Sequence, residues 1–185
     1  MNIQTHFQLM GGYNRRMNRQ VYGVAAKLDQ ESLCRDAGAF FRSILGTLNH
    51  IMVGDLLWLR RFRGHRDGYF ALDELGGLPR PQGLDEILFA DFSALWSCRE
   101  SVDEIVVRWL ETETGTSDFA DNLTYANSKG VVSTRNFGEL LCHFFNHQTH
   151  HRGQVSTLLS QMGCDIGVTD FLIDIPDLDT VGSRV

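Results

Sequence analysis

The sequence predicts an all-α protein, a four-helix bundle with one long crossover connection and a small β-hairpin before the last helix. Three observations predict this fold class. Apolar residues recur at three- and four-residue steps in four long stretches, as they do on amphipathic helices. The prolines Pro79, Pro81 and Pro176 lie outside these stretches. Hydrophobic residues make up 43% and charged residues 22% of the chain, which is typical of a folded globular protein.

The first two long helices are expected over residues 3–28 and 39–63, and residues 29–38 form a polar connection between them. The apolar stripe of the first helix has one polar member, Asn14. Gly64 follows the second helix, and glycine readily adopts the left-handed conformation that ends a helix.

A connection rich in glycine and proline occupies residues 64–83. It is longer than ordinary connections in compact domains, so a crossover or a functional loop is expected there. The third long helix is predicted over residues 84–112, where apolar residues again follow the helix period.

The period changes after the third helix. Residues 119–125 and 131–134 favour β-structure and flank the turn-forming sequence NSKG at residues 127–130, which predicts a short hairpin. An isolated hairpin is marginally stable in water, so this one must pack on the bundle.

The fourth long helix is predicted over residues 136–162. Asn136 and Glu139 have the spacing of a helix cap and its third-position partner. From about residue 164 the chain continues as a tail, and all of residues 1–185 are interpreted as a single domain.

The charge distribution argues against a nucleic-acid partner. The formal net charge is −6, whereas binding to a phosphate backbone requires a concentrated basic patch. The dense basic run consists of Arg60, Arg61, Arg63 and Arg66. A solvated helix end is the favoured interpretation of this run, and an anion site is the alternative.

The sequence also predicts a cytoplasmic protein without a membrane partner. Residues 1–6 lack the features of a signal peptide, and no stretch approaches the ~18 apolar residues of a membrane span. The cysteines form no CxxC pair and are expected to be free, buried thiols of a reducing compartment. They are Cys34, Cys98, Cys142 and Cys164.

Histidines cluster in the fourth helix, where four of the seven lie within nine residues. A spacing of four residues places His147 and His151 on one helix face, and two imidazoles so placed can bind one ion. His143 precedes His147 by the same spacing, and His150 follows His147 by three residues. The spacing alone therefore leaves the ligand pair open.

His50 lies among apolar residues in the middle of the second long helix. A lone histidine there is usually a core residue bonded to a carbonyl or carboxylate group, but facing helices of a bundle also build metal sites. One ligand from this helix and two from the fourth would make a three-histidine site. Three protein ligands leave a coordination position open, which favours catalysis over a structural role.

Two stretches resemble the DinB family. Residues 145–154 read FNHQTHHRGQ and closely resemble that family's fourth-helix motif, and residues 48–58, LNHIMVGDLLW, are similar to its second-helix motif. The resemblance implies His50, His147 and His151 as metal ligands. It also implies an up-down-down-up bundle, zinc or nickel as the metal, and a homodimer.

Other residues near the motif have open roles. His143 and His150 are expected to be hydrogen-bonded or partly exposed; the alternative is that they orient ligands or transfer protons beside the ion. Arg152 could bind an anionic substrate group, but a structural pair with Asp55 is favoured. Gly153 is expected to permit close approach of a neighbouring helix. The catalytic residues remain unknown, with His143, His150 and Arg152 as candidates.

The resemblance also implies the activity. Relatives of this fold include transferases and isomerases that use low-molecular-weight thiols such as bacillithiol or mycothiol. A metal-dependent transferase that activates such a thiol, or a similar nucleophile, is therefore the first hypothesis. The alternatives are a metal-dependent hydrolase that uses metal-bound hydroxide, and a non-enzymatic, stress-linked metal-binding dimerisation module.

Overall fold

A computed structural model describes residues 2–178 of the chain and confirms the predicted helical fold. Five α-helices are present, with a two-stranded antiparallel sheet before the last. The helices are α1 (Ile3–Ala25), α2 (Gln30–Cys34), α3 (Ile44–Arg63), α4 (Phe92–Thr112) and α5 (Phe137–Gln161). The strands are β1 (Asn122–Ala126) and β2 (Val132–Asn136).

The four long helices α1, α3, α4 and α5 form the bundle. Helix α1 packs mainly against α4 and α5, and α3 packs mainly against α5. Contacts between α3 and α4 are sparse, and a 3₁₀ helix of the long connection, Phe70–Gly77, packs against both of them. Because α3 and α5 lie side by side, their facing residues can form a common site.

The two long helices before and after the crossover begin later than the sequence predicts. The second was predicted from residue 39, but α3 begins at Ile44 because Ser43 is its N-cap and accepts a hydrogen bond from a backbone N–H of the first turn. Residues 39–42 form a tight turn instead, in which Arg42 has a φ of +69°.

The third long helix was predicted from residue 84, but α4 begins at Phe92. The side chain of Asp91 caps it by accepting a hydrogen bond from the N–H of Ala94 at 2.8 Å. Residues 84–91 contain no helix, and Leu88 within them packs against the core all the same. The apolar pattern in this segment therefore reflects partial burial of Leu88, which does not require a helical backbone.

The first predicted helix and the connection after it also differ in detail. Helix α1 ends at Ala25 rather than at residue 28. The polar connection contains the short helix α2, which begins after Asp29 because the Asp29 side chain accepts a hydrogen bond from the N–H of Ser32.

The predicted hairpin is confirmed. Strands β1 and β2 pair antiparallel, and Asn127 forms the turn by accepting hydrogen bonds from the N–H groups of Lys129 and Val131. Gly130 supplies the positive φ, +77°, that this turn requires. Leu123 is buried and joins the hairpin to the core of the bundle.

Asn136 connects the hairpin to α5. Its Oδ1 accepts the N–H of Glu139 at 3.0 Å, and its amide nitrogen donates to the carbonyl oxygen of Phe119 at 3.1 Å. We expect Asn136→Ala to lower the free energy of unfolding by about 1–2 kcal/mol, since both a cap and a tether are lost. Urea denaturation monitored by circular dichroism measures this loss, and a value within error of zero would contradict it.

The basic run lies at the end of α3, as the favoured interpretation requires, but Arg60, Arg63 and Arg66 are bonded rather than simply solvated. Arg60 donates to the carbonyl oxygens of Leu75 and Leu78 and so holds the crossover in place. Arg63 pairs with Asp73. The next member, Arg66, pairs with Asp118 and Asp121 before the hairpin.

The beginning of the tail packs against α1. Arg16 forms an ion pair with Asp174 at 2.7 Å, and the ring of Tyr13 contacts that of Phe171. Residues 179–185 of the predicted tail lie outside the described residues. Within residues 2–178, no helix is both long and apolar enough to cross a bilayer.

The four cysteines are free, as predicted, but their predicted burial holds for one of them. Cys98 is buried and Cys164 is partly buried, whereas Cys34 and Cys142 are exposed.

A buried ionic network crosses the bundle between α3 and α4. Arg99 pairs with Asp55 and, at 3.0 Å, with Asp103, and these three side chains are at most 3% exposed. Asn18 of α1 donates to Asp103 at 2.9 Å. The network thus connects three of the four long helices through polar contacts.

Candidate metal centre

Three histidines from two helices meet inside the bundle. His50 lies on α3, and His147 and His151 lie one turn apart on the facing side of α5. One ring nitrogen of each lies within 4.8 Å of the other two, and the Nε2 atoms of His50 and His147 are 3.1 Å apart. This group of three imidazoles could hold a metal ion, and the whole group is partly buried between the helices.

In two of the three histidines, a hydrogen-bond partner at Nδ1 orients the ring. The Nδ1 of His50 lies 2.9 Å from the carbonyl oxygen of Leu84, and the Nδ1 of His151 lies 2.8 Å from Oε1 of Gln154. Because both partners accept hydrogen bonds, each Nδ1 carries the proton and each Nε2 keeps a free lone pair. Metal-binding histidines are typically held in this way.

The spacing of the nitrogens fits a small divalent cation. Tetrahedral zinc with Zn–N distances of about 2.0–2.1 Å separates its ligand nitrogens by roughly 3.3 Å. The observed 3.1 Å between His50 and His147 is close to this value. The three imidazole donors and this separation therefore fit a divalent metal ion of the kind that the resemblance implies.

The protonation states also suit metal binding. Burial, followed by the charges of His151 and His50, lowers the pKa of His147 to about 3. Burial lowers the pKa of His50 and His151 as well. The rings are therefore neutral near pH 7, as metal ligation requires.

Asn49 positions the crossover beside the centre, a role that sequence reasoning missed. Its Oδ1 accepts the N–H of Phe89 at 2.9 Å, and its amide nitrogen donates to the carbonyl oxygens of Phe89 and Leu45 at 3.0 Å. These bonds hold the segment whose Leu84 carbonyl orients His50. In the sequence, this role could have been suspected because Asn49 is a polar residue in an apolar stretch, directly before His50.

Phe41 covers one side of the centre. Its ring stacks on that of His50 at a centroid distance of 3.7 Å and meets the ring of His151 edge-on at 5.4 Å. The sequence placed this residue inside a helix, so its position over the centre could not be foreseen. The stacked ring excludes water from this side of the histidines.

Gly54 provides the space for His147. A Cβ atom at this position would lie 2.8 Å from Cε1 of His147, which is closer than real contacts allow. The predicted role of Gly153 is wrong, because a Cβ atom there would have no neighbour within 4 Å. The close approach between α3 and α5 occurs at Gly54 of α3 instead.

The comparisons with known proteins agree with the motifs. The sequence model of the DinB family matches residues 1–177. The chain belongs to the DinB family. "Protein DinB" of Bacillus subtilis (strain 168) is 26% identical over 163 residues, which cover 86% of this chain and 87% of that protein. No solved structure gives a significant match.

Of the catalytic candidates in this DinB-family chain, two histidines adjoin the three-histidine group. The ring of His143 lies 6.1 Å from that of His147 and contacts Trp58. The ring of His150 lies 4.8 Å from that of His151. Both His143 and His150 are exposed, so a substrate at the centre could contact either of them.

The third candidate, Arg152, points into the bundle. It is 4% exposed and donates to the side-chain oxygens of Asn14 and Gln148. Its predicted pairing with Asp55 is wrong, because Asp55 binds Arg99. Arg152 therefore forms structural contacts, the kind of role that the sequence favoured, but its partners are the side-chain amides of Asn14 and Gln148.

Two glycine variants of this DinB-family protein distinguish an effect on metal affinity from an effect on the free energy of unfolding. We expect Gly54→Ala to weaken metal binding by about 10–100-fold, the usual cost of disturbing a ligand's surroundings, because the new methyl group displaces the ring of His147. Gly153→Ala is the matched control: it should leave metal affinity unchanged and raise the free energy of unfolding by about 0.5–1 kcal/mol. Competition titration with a chelator measures both affinities, and equal values for the two variants would contradict the role of Gly54.

Proposed function

We propose that this DinB-family protein is a metal-dependent transferase that activates a low-molecular-weight thiol for attack on an electrophile. One observation carries the proposal. Within residues 2–178, the metal-ligating group contains His50, His147 and His151 and no fourth histidine, cysteine or carboxylate. A closed structural site normally has four protein ligands, so a set of three leaves a position for a reactant.

The bound ion would act as a Lewis acid that lowers the pKa of a coordinated thiol and keeps it nucleophilic at neutral pH. His50, His147 and His151 hold and orient the ion. Leu84 and Gln154 fix two of these rings through hydrogen bonds. Imidazole nitrogens suit zinc and nickel, and either metal is proposed.

His143 is the proposed proton acceptor. Burial and the positive charge of Arg61 lower the pKa of its imidazole, so the ring is neutral near pH 7. Its exposed ring lies 6.1 Å from that of His147, where it can take the proton that the thiol loses and pass it to solvent. Phe41 protects the opposite side of His50 from water.

Hydrolysis is the second candidate, and the position of His143 favours it to some degree. Hydrolysis at a metal centre requires a base for a water molecule, and His143 could serve. No described carboxylate belongs to the histidine group, although the charge of Asp85 reaches His50. A thiol ionised by the metal does not depend on a carboxylate base, so thiol transfer is preferred.

The test compares zinc- and nickel-loaded protein on three substrate panels: thiols with an aryl halide, thiols with an epoxide, and esters without thiol. We expect turnover that requires both metal and thiol, and that is lost in His147→Ala. Turnover of esters without thiol would support hydrolysis instead. Metal binding without turnover on any panel would contradict both and support the non-enzymatic module.

A homodimer and a cytoplasmic location are also proposed, both on the family resemblance and the sequence. Analytical ultracentrifugation of the metal-loaded protein tests the first, and a single species of monomer mass would contradict it.

A further inference from the structure

A cavity of about 360 Å³ lies between the end of α3, the crossover and the hairpin turn. Three arginines line it, and none of its lining residues is acidic. The polar part of the lining consists of Arg60, Arg61, Arg80, Gln82, Asn127 and Ser128. This is an unusual concentration of positive charge in a chain whose net charge is −6.

None of the three arginines has an acidic partner in the described part of the chain, and Arg60 is held by backbone carbonyl oxygens instead. Arg61 and Arg80 form no ion pair with any carboxylate in the described part of the chain, in contrast to Arg63 and Arg66 beside them. The guanidinium of Arg61 instead lies over the ring of Trp58, at 4.6 Å, and near that of Tyr125, at 5.3 Å. Stacking fixes the plane of this group and leaves its N–H donors available.

Arg60 brings a third positive charge close to the other two. Its guanidinium is occupied by the carbonyl oxygens of the crossover. Arg60 and Arg80 line the same cavity, and burial, followed by the positive charge of Arg80, lowers the pKa of Arg60. Like charges gathered without a counter-charge repel each other, and a bound anion would relieve this repulsion.

Two segments of the chain connect the lining of the cavity to the histidine group. Gly83 lines the cavity, and the carbonyl oxygen of the next residue, Leu84, accepts a hydrogen bond from Nδ1 of His50. On α3, Leu57 lines the cavity seven residues after His50, which places the two roughly 10 Å apart along the helix axis. One extended small molecule can therefore reach both the cavity and the histidines.

We propose that Arg61 and Arg80 form an anion subsite that binds a carboxylate or phosphate group of the molecule whose other end reacts at the three-histidine centre. This inference rests on the proposed function and adds a substrate class to it. The cosubstrate or substrate carries its anionic group roughly 10–16 Å from the reactive atom, the rise of α3 from His50 to Leu57 and to Arg61. Guanidinium groups suit both anions because their N–H donors match the geometry of paired oxygens.

The first experiment titrates inorganic phosphate and succinate into the full-length protein by calorimetry. His147→Ala serves as the background, so that anions bound directly to metal do not contribute. We expect at least one anion to bind, and Arg61→Gln/Arg80→Gln to weaken this binding by roughly tenfold or more, since charged hydrogen bonds are lost. The phosphate and succinate arms decide which anion the subsite prefers.

The matched control is Arg35→Gln, which removes one exposed arginine away from the cavity. Its anion affinity should equal that of the parent. The double variant could misfold because it loses the stacking of Arg61 on Trp58. The single variant Arg80→Gln changes only an exposed residue and should weaken anion binding by itself. Failure of both anions to bind, or equal affinity in the parent, the double variant and the control, would overturn the subsite.

The second experiment tests the connection to the metal with two thiols of equal length, 8-mercaptooctanoate and neutral 8-mercapto-1-octanol. Their binding to the cobalt(II) form is followed by its visible absorption. We expect the carboxylate to bind roughly tenfold more tightly, an advantage that Arg61→Gln/Arg80→Gln removes. Equal affinity in the wild-type protein would overturn the connection. If neither thiol reached cobalt, the proposed thiol chemistry would fail, whereas loss of phosphate or succinate binding in the double variant would still support the subsite.

Discussion

Replacing His147 with alanine is expected to remove most of the bound metal. His147 is the central member of the group, because its Nε2 lies 3.1 Å from that of His50 and its ring lies 4.4 Å from that of His151. Without it, only two imidazoles of the group remain, one on each helix. The affinity should fall by more than the about 10–100-fold that loss of an outer hydrogen-bond partner costs.

Elemental analysis of the purified variant, together with competition against a chelator, measures this loss. His6→Ala and His65→Ala are the controls, since neither residue belongs to the histidine group. His65 stacks on Phe137 and bonds to the carbonyl oxygen of Asp118, so its replacement should affect stability rather than metal. Full metal occupancy in His147→Ala would show that the ligand assignment is wrong.

The largest loss of stability is expected from Arg99→Met. This change leaves Asp55 and Asp103 buried without their counter-charge, and breaking a buried pair costs about 3–5 kcal/mol. Burial already raises the pKa of Asp55 to about 6 despite the opposing charge of Arg99. Removal of Arg99 would therefore force one or both carboxyl groups to bind a proton or to admit water.

Arg108→Met provides the control on the same helix. Arg108 pairs with Glu74 at the surface, where both side chains are about half exposed, and such pairs contribute about 0–1 kcal/mol. Equilibrium urea denaturation of both variants measures the difference. A loss for Arg99→Met no larger than that for Arg108→Met would contradict the importance of the buried network.

The sequence predicted the features that depend on periodicity and spacing. The helix period located the bodies of α1, α3, α4 and α5, and the turn residues at positions 127–130 located the hairpin. The four-residue spacing of His147 and His151 placed both rings on one face of α5. These are local properties, so a single sequence contains them.

Features that depend on tertiary packing could not be predicted. The apolar pattern extended the third helix back to residue 84, but the cap at Asp91 and the bonds from Asn49 keep residues 84–91 out of the helix. That non-helical backbone is what frees the Leu84 carbonyl to orient His50. The placement of Phe41 over the centre depends likewise on a turn that no local signal revealed.

Pairing of buried charges was equally inaccessible from the sequence. Arg152 and Asp55 seemed natural partners by sequence, but Asp55 faces α4 and meets Arg99. Arg152 faces α1 and meets Asn14, the one polar member of that helix's apolar stripe. Which helix faces a given side of α3 or α5 follows from the topology of the bundle, which spacing within one helix does not encode.

The most direct test is X-ray absorption spectroscopy of the zinc-loaded protein at one ion per chain. We predict three imidazole nitrogens at about 2.0–2.1 Å from zinc, and a decrease by one imidazole in His50→Ala. A sulfur neighbour at about 2.3 Å, or an unchanged spectrum in His50→Ala, would contradict a centre shared by α3 and α5.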